Sequence, residues 1–277
     1  MKNFFITGGT SGIGYNCVKY IAKDHNNRVL IISSNKEKGR LAVTKLRELT
    51  KNNNINFLQC DLSSIKETNR LIYNNQIFKI DVLINNAGAI YFTKQFSNEN
   101  IEKTFALNHM GYFSITNFLL KKNLIKNGAK IINIASGAHW GVDLDINDLQ
   151  MKGKYNGWLA YKKSKLCNIL FTRKLSKLLI QRQISVNCLH PGFVKTDFGK
   201  NNLFVFKFFL GLVMKLSAIN IDEGTRTLLY LINDKKNLVT GEYFYKEKIS
   251  PSSSFSQDMN NAEKLWNESY KLIKMYL

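Results

Sequence analysis

A doubly wound α/β fold, one parallel sheet with helices on both faces, is predicted by three observations. Short β-rich runs alternate with longer helical patterns along the chain, the order that builds a parallel sheet from crossover helices. The strand cores "RVLIIS" and "KIINIA" are continuously apolar, as strands covered on both faces are. The third is "ITGGTSGIGYN", Ile6 to Asn16, where an apolar run meets Gly8, Gly12 and Gly14 before a helical pattern begins. Glycine weakens regular structure but serves where backbone turns sharply or approaches another group closely.

Taken in order, the first strand is Phe4–Thr7, and Cys17, Val18 and Ile21 mark a helix near 13–24. "RVLIIS" supplies the second strand, Arg28–Ser33, before a helical stretch near 36–51. A third strand, Asn56–Cys60, leads to a helix near 64–76, and a fourth, Val82–Asn85, to a long helical stretch near 97–126. "KIINIA" makes the fifth strand, Lys130–Ala135, before a helix near 155–181. The sixth strand, Ser185–Leu189, a helix near 222–233 and a last strand, Glu242–Tyr245, complete the pattern. At 277 residues and without internal repeats, the chain can bury a substantial core. Residues 1–249 are expected to form one domain with a substrate lid near 196–220. Residues 250–277, entered through Ser250-Pro251-Ser252-Ser253-Ser254, are expected to add an extension with a short helix packed on that domain.

The formal net charge is +20, which invites a nucleic-acid or anionic-membrane partner. Lysine and asparagine are enriched together, as in "KNNNIN", and the lysines scatter over expected surfaces. A nucleic-acid reader gathers its basic residues on one face, so no nucleic-acid partner is expected. Cys17, Cys60, Cys167 and Cys188 lie far apart in apolar segments, which favours buried reduced thiols and a reducing compartment. His109, His139 and His190 fit no standard metal spacing, and no metal is expected. There is no signal-peptide pattern and no run of about 20 apolar residues; "LFVFKFFLGLVMKL", Leu203 to Leu216, is interrupted by Lys207 and Lys215. The expected location is cytoplasmic, with peripheral membrane contact left open.

Doubly wound folds bind ligands beyond the carboxyl ends of their strands. At the first such end, glycines let backbone reach a pyrophosphate, and the next helix offers unpaired N–H groups and a positive dipole end. After the fourth strand comes "INNAG", small enough for a flat adenosine to lie close, with Asn85 and Asn86 able to tie neighbouring strands. Ser136 ends the fifth strand, and "AYKKSK" sets Tyr161 and Lys165 four residues apart on one helix face. After the sixth strand, Pro191-Gly192 turns the chain.

Together these pieces resemble the short-chain dehydrogenase/reductase family over nearly the whole chain. The matching parts are the Thr7–Gly14 loop, Asp61 after the third strand, Asn85-Asn86-Ala87-Gly88, Asn108, Ser136, Tyr161 with Lys165, and Pro191-Gly192. "NKEKGR", "DLQ", "SKLCNILFTRKL", "AEKLWNESYKL" and the long Ser136-to-Tyr161 interval are similar to the retinol dehydrogenase branch. The resemblance implies a Rossmann-type sheet and hydride transfer between a nicotinamide cofactor and an alcohol or carbonyl. Tyr161 then exchanges a proton with the substrate oxygen, and Ser136 hydrogen-bonds that oxygen. Lys165 and the oxidised nicotinamide favour phenolate, and Lys165 also binds the ribose. Asn108 holds a water that connects Lys165 to solvent, or else caps or kinks its helix.

The resemblance also implies the cofactor contacts. Gly8, Thr10, Ser11, Gly12, Ile13 and Gly14 take the phosphates, and Ser33, Ser34 and Asn35 the adenosine ribose. Asp61 and Leu62 also touch the cofactor, as do Asn86, Ala87 and Gly88, where a flat adenosine can lie close to the backbone. Tyr161, Lys165, Pro191, Gly192, Val194 and Thr196 surround the nicotinamide end. An acid after the second strand would repel a 2′-phosphate. Ile32-Ser33-Ser34-Asn35 contains none, so NADP(H) is expected over NAD(H). The branch usually carries arginine where Ser34 stands; Lys36, Lys38 and Arg40 lie nearby to compensate. The Phe- and Leu-rich stretch from Thr196 to Asn220 suits a small lipophilic carbonyl or alcohol, such as a retinoid, steroid or lipid aldehyde. A homo-oligomer is left open. The alternatives are a non-catalytic NADP(H)-binding redox sensor and a basic peripheral-membrane protein on the same fold.

Overall fold

The computed structural model describes residues 1–193, 220–234 and 239–277. All of the expected lid except Asn220, together with Val194 and Thr196, lies outside the described residues.

Eight strands form one sheet in the order β3-β2-β1-β4-β5-β6-β7-β8. They are β1 (Asn3–Thr7), β2 (Arg28–Ser33), β3 (Ile55–Gln59), β4 (Ile80–Asn85), β5 (Ile125–Ile134), β6 (Ser185–His190), β7 (Tyr243–Tyr245) and β8 (Lys248–Ile249). Pairing is parallel throughout except between β7 and β8. Side chains of β1 alternate between two cores: Phe4 and Ile6 pack with Cys17, Val18, Leu46 and Leu228, while Phe5 packs with Phe113, Leu166 and Phe171 on the other face. Continuous apolarity in the strands therefore reflects helices on both faces.

One face carries α1 (Gly12–Ile21), α2 (Lys36–Thr50) and α7 (Ile221–Asn233). The other carries α3 (Ile65–Asn74), α5 (Gly111–Lys121), α6 (Gly157–Leu178) and α9 (Met259–Ile273), with the short α4 (Lys103–Phe105) and α8 (Ser254–Gln257) beside them. The strand order reverses between β1 and β4, which places a ligand crevice at their carboxyl ends.

Three expectations need correction. The helical stretch near 97–126 is not one helix: α4 is followed by a π-helix, Ala106–Met110, and then by α5. Its start is set at Glu102, whose buried carboxylate accepts the Thr104 and Phe105 N–H groups at 2.8 Å each, satisfying donors that a helix start leaves open. Its end is set at Asn123, with φ of 51°, after which β5 begins five residues before the expected Lys130. The helix after residue 250 is not short: α9 has 15 residues, capped by Asp258 on the Asn260 N–H at 2.8 Å. It packs Ala262, Leu265 and Ile273 into the main core.

Candidate active site

The loops after β1 and β4 are stitched to each other. Thr7 Oγ1 accepts the Asn86 and Ala87 N–H groups at 2.8 and 3.0 Å. Asn86 Nδ2 donates to the carbonyls of Thr7 and Gly8 at 2.9 and 3.0 Å. Gly8 has φ of +68° and Gly12 of +55°, a region that favours glycine. A Cβ at Gly14 would lie 2.4 Å from the Gly8 oxygen and 2.5 Å from Asn86 Nδ2. The glycines thus allow the backbone to curl over the start of α1. Ser11, the residue preceding α1, makes no side-chain cap bond, so the first-turn N–H groups retain their affinity for an anion. This cradle fits the pyrophosphate of a dinucleotide.

At the end of β2, Thr10 Oγ1 and Ser33 Oγ stand 3.4 Å apart. Ser34, Asn35, Lys36, Lys38 and Arg40 are exposed, and Asn35 caps α2 through the Lys38 N–H at 2.8 Å. Asp61 turns its carboxylate onto the Ser63 N–H and hydroxyl at 2.9 and 2.8 Å. Leu62 buries its side chain in the core, and its carbonyl lies 3.0 Å from the point a Gly111 Cβ would occupy. Ile13 is half-buried, and Ala87 packs on the core.

Helix α6 begins at Asn156, whose side chain accepts the Leu159 N–H at 3.0 Å. Gly157 is pressed against the Tyr91 and Phe92 backbone, where a Cβ would come within 2.3 Å of the Tyr91 oxygen. This fixes the rotation of the helix and hence of Tyr161 and Lys165. The Tyr161 hydroxyl hydrogen-bonds Ser136. Ser136 Oγ also accepts the Ala138 N–H at 3.1 Å. Lys165 Nζ donates to the Ile134 carbonyl at 3.1 Å and lies 5.7 Å from the centre of the Tyr161 ring. The same nitrogen is 3.5 Å from the point a Gly88 Cβ would occupy, so lysine and INNAG loop face one space. Burial pushes the Tyr161 phenol up to about 12, against a small lowering by Ser136. Burial pushes the Lys165 ammonium down to about 7. Burial therefore favours the neutral phenol, and a cationic neighbour favours its phenolate.

Asn108 lies in the π-helix. Its Oδ1 accepts the Ala89 N–H at 2.9 Å, and its Nδ2 donates to the Ala89 carbonyl at 2.9 Å and to Ser164 Oγ at 3.0 Å. Ser164 in turn donates to the Tyr161 carbonyl at 2.7 Å. The amide of Asn108 thus joins the loop after β4 to α6. At the nicotinamide end, Gly192 has φ of +87° and donates its N–H to His190 Nδ1 at 3.3 Å, and Pro191 is half-buried.

Asn85 ties neighbouring strands as expected, and further residues complete its surroundings. A buried amide chain crosses the sheet: Asn85 Nδ2 donates to Thr116 Oγ1 at 3.1 Å and to Asn133 Oδ1 at 2.8 Å, and Asn133 Nδ2 to Thr172 Oγ1 at 2.8 Å. Tyr112, fully buried, holds its ring 5.9 Å from Lys165 Nζ. Trp158, 44% exposed, stacks on Tyr161 at 5.6 Å and 24°. His139 and His109 turn out to be buried and hydrogen-bonded beside Ser136 and Asn108. Asn133, Thr116, Thr172, Tyr112 and Trp158 were not singled out in the sequence; of these, Trp158 carried a signal in its place one helical turn before Tyr161. Among the described residues, no group of three or more His, Cys, Asp or Glu is placed to hold a metal, and no helix is long and apolar enough to cross a membrane.

The family profile described as short chain dehydrogenase matches residues 2–203. Human polyprenol dehydrogenase is 32% identical, with 96% of this chain and 83% of that protein covered. Human retinol dehydrogenase 13 is 31% identical, with 98% and 84% covered. The chloroplastic short-chain dehydrogenase TIC 32 A of Brassica napus is 35% identical, with 97% and 88% covered. Among solved structures, an uncharacterised protein from Mycobacterium paratuberculosis superposes with a TM-score of 0.80 at 24% identity, covering 99% of this chain and 94% of that one.

Proposed function

Since this chain belongs to the short-chain dehydrogenase/reductase family, in its retinol dehydrogenase-like branch, and is a nicotinamide-dependent oxidoreductase, we propose that it transfers hydride between NADP(H) and a lipophilic carbonyl or alcohol. One observation carries the reading: the Tyr161 hydroxyl bonds Ser136 while Lys165 Nζ lies 5.7 Å from the same ring and faces Gly88. In reduction, a nicotinamide held in this crevice would supply the hydride for the carbonyl carbon. Tyr161 gives its proton to the carbonyl oxygen, and Ser136 hydrogen-bonds that oxygen as negative charge develops. Lys165 stabilises the phenolate left behind and binds the nicotinamide ribose; Asn108 keeps Ala89, Ser164 and hence α6 in place. Oxidation of an alcohol runs the same proton transfers backwards.

The cofactor and substrate assignments rest on surroundings. The end of β2 presents hydroxyls and exposed Lys36, Lys38 and Arg40, with no acid among Ser33, Ser34 and Asn35, which favours a 2′-phosphate. Trp158, Trp140 and Phe193, on segments next to Tyr161, Ser136 and Gly192, are 44%, 49% and 43% exposed. Such aromatic surface suits a flat, apolar substrate. Together with the +20 charge, it also suits delivery of that substrate from an anionic membrane surface. Residues 1–249 and 250–277 act as one unit on this reading. The test is a screen of retinal, polyprenal, steroid ketones and short aldehydes, and of the matching alcohols, with both cofactors, followed at the reduced-nicotinamide absorbance. Turnover of the apolar compounds with NADPH is the expected result. Preference for NADH, or for short aldehydes alone, overturns the respective assignment.

A further inference from the structure

Two buried histidines each stand beside a residue of the proposed catalytic set, and each is hydrogen-bonded to a serine of the C-terminal segment. His139 Nδ1 is 2.7 Å from the Ser136 carbonyl, and its Nε2 is 3.2 Å from the Ser253 N–H. A carbonyl only accepts and an N–H only donates, so the ring is neutral with its proton on Nδ1. His109, next to Asn108 in the π-helix, has Nε2 2.8 Å from Ser269 Oγ of α9. Its ring lies 5.1, 5.9 and 6.1 Å from those of Phe105, Phe113 and Phe171.

Docking of the segment does not itself require imidazoles. Ala262, Leu265 and Ile273 already bury an apolar face, and Arg173 to Ser252 and Lys174 to Glu263 add polar contacts. Burying an imidazole costs desolvation that an apolar residue of similar size avoids. Here that cost falls at the two points where the segment meets the histidines beside Ser136 and Asn108. We propose that residues 250–277 are a working part of the catalytic site, holding it through two histidine–serine latches, and that His109 and His139 are positioning residues. The Ser253–His139 latch fixes the Ser136 peptide and with it the direction of Ser136 Oγ. The Ser269–His109 latch fixes the π-helix that carries Asn108. The inference rests on the roles assigned to Ser136 and Asn108 above.

Four variants separate latch from fold. Ser253→Pro deletes the N–H donor, and with it a buried hydroxyl that makes no hydrogen bond, at a φ of −57° that proline accepts. His139→Asn keeps a donor where Nδ1 stood and loses the acceptor for Ser253; His139→Ala loses both. Ser269→Ala removes the partner of His109. With all-trans-retinal and NADPH, kcat is expected to fall about ten- to a hundredfold in Ser253→Pro, His139→Ala and Ser269→Ala, because small misplacements of reacting groups carry penalties of that order. The NADPH Kd is expected to hold, and His139→Asn to match Ser253→Pro, since both keep a donor to the Ser136 carbonyl and lose the bond to Ser253. Backbone hydrogen exchange of the folded His139→Ala protein gives a readout free of substrate: residues 136–140 and 250–258 are expected to open together, ahead of the remaining sheet. Unchanged kcat, parallel loss of kcat, Kd and melting temperature, or opening of 250–258 without 136–140 overturns the proposal. Ser136→Ala is the control. If it turns over like the wild type, the reading of Ser136 fails, and the exchange result alone decides the latch.

Discussion

Lys165 Nζ lies 5.7 Å from the centre of the Tyr161 ring and is hydrogen-bonded to the Ile134 carbonyl. The two side chains are set by one helix whose start is locked at Gly157. In this arrangement the phenol is held neutral by burial and the lysine is held near its own titration point.

Tyr161→Phe removes the proton donor while keeping the ring that stacks on Trp158. Turnover is expected to drop by about 10²-fold or more, with the NADPH Kd within a few-fold of wild type. Steady-state kinetics and cofactor titration check this; a variant with near-wild-type kcat contradicts the role of Tyr161.

Lys165 is protonated below about 7 and neutral above it. If the cation supports the Tyr161 phenolate and the ribose contact, kcat/KM falls as pH rises through that value. Lys165→Arg keeps its charge at all accessible pH. Its profile is expected to lose the limb near neutrality, at a lower absolute rate because the guanidinium does not reproduce the Ile134 contact. A limb that persists in Lys165→Arg belongs to another group.

Ser33→Asp places a carboxylate beside Thr10, where a 2′-phosphate would sit. NADPH binding is expected to weaken about tenfold or more, equivalent to about 1.4 kcal/mol, and NADH binding to change much less. Fluorescence titration of both reduced cofactors measures the ratio, and equal losses would refute NADP(H) preference.

Trp158→Ala deletes the exposed indole stacked on Tyr161. The KM for retinal is expected to rise roughly three- to tenfold, as stacking worth about 0.5–1.5 kcal/mol is lost, with little change for propanal. An equal rise for both compounds would assign Trp158 to the support of Tyr161 and not to the substrate.

The sheet was legible because its strands are uninterrupted apolar runs separated by helical periodicity. Arg28–Ser33 is bounded in the structure as in the sequence, and the loops after β1 and β4 announced themselves through glycine and asparagine. The break of the stretch near 97–126 was legible only as the alternative that Asn108 caps or kinks its helix. It depends on Glu102 turning back on its own helix start and on Asn108 reaching Ala89, contacts that no local pattern reports. The histidine latches were hidden for the same reason. Their serine partners lie 114 and 160 residues further along the chain, and spacing rules for metal sites say nothing about such pairs.

The π-helix Ala106–Met110 has a consequence for how this chain can change length. A π-turn holds one residue more than an α-turn, so the sequence periodicity slips by about 100° across it while the stretches on its two sides keep one face. Phe105 before it and Phe113 after it are both buried, and about seven α-helical steps would separate them once the extra residue is absorbed. Removing one residue between 106 and 110 would regularise the backbone hydrogen bonds and leave both rings in the core, while moving Asn108 away from Ala89. The extra residue therefore serves the position of Asn108 more than the packing of the helix, and a single deletion here is expected to cost activity before it costs the fold.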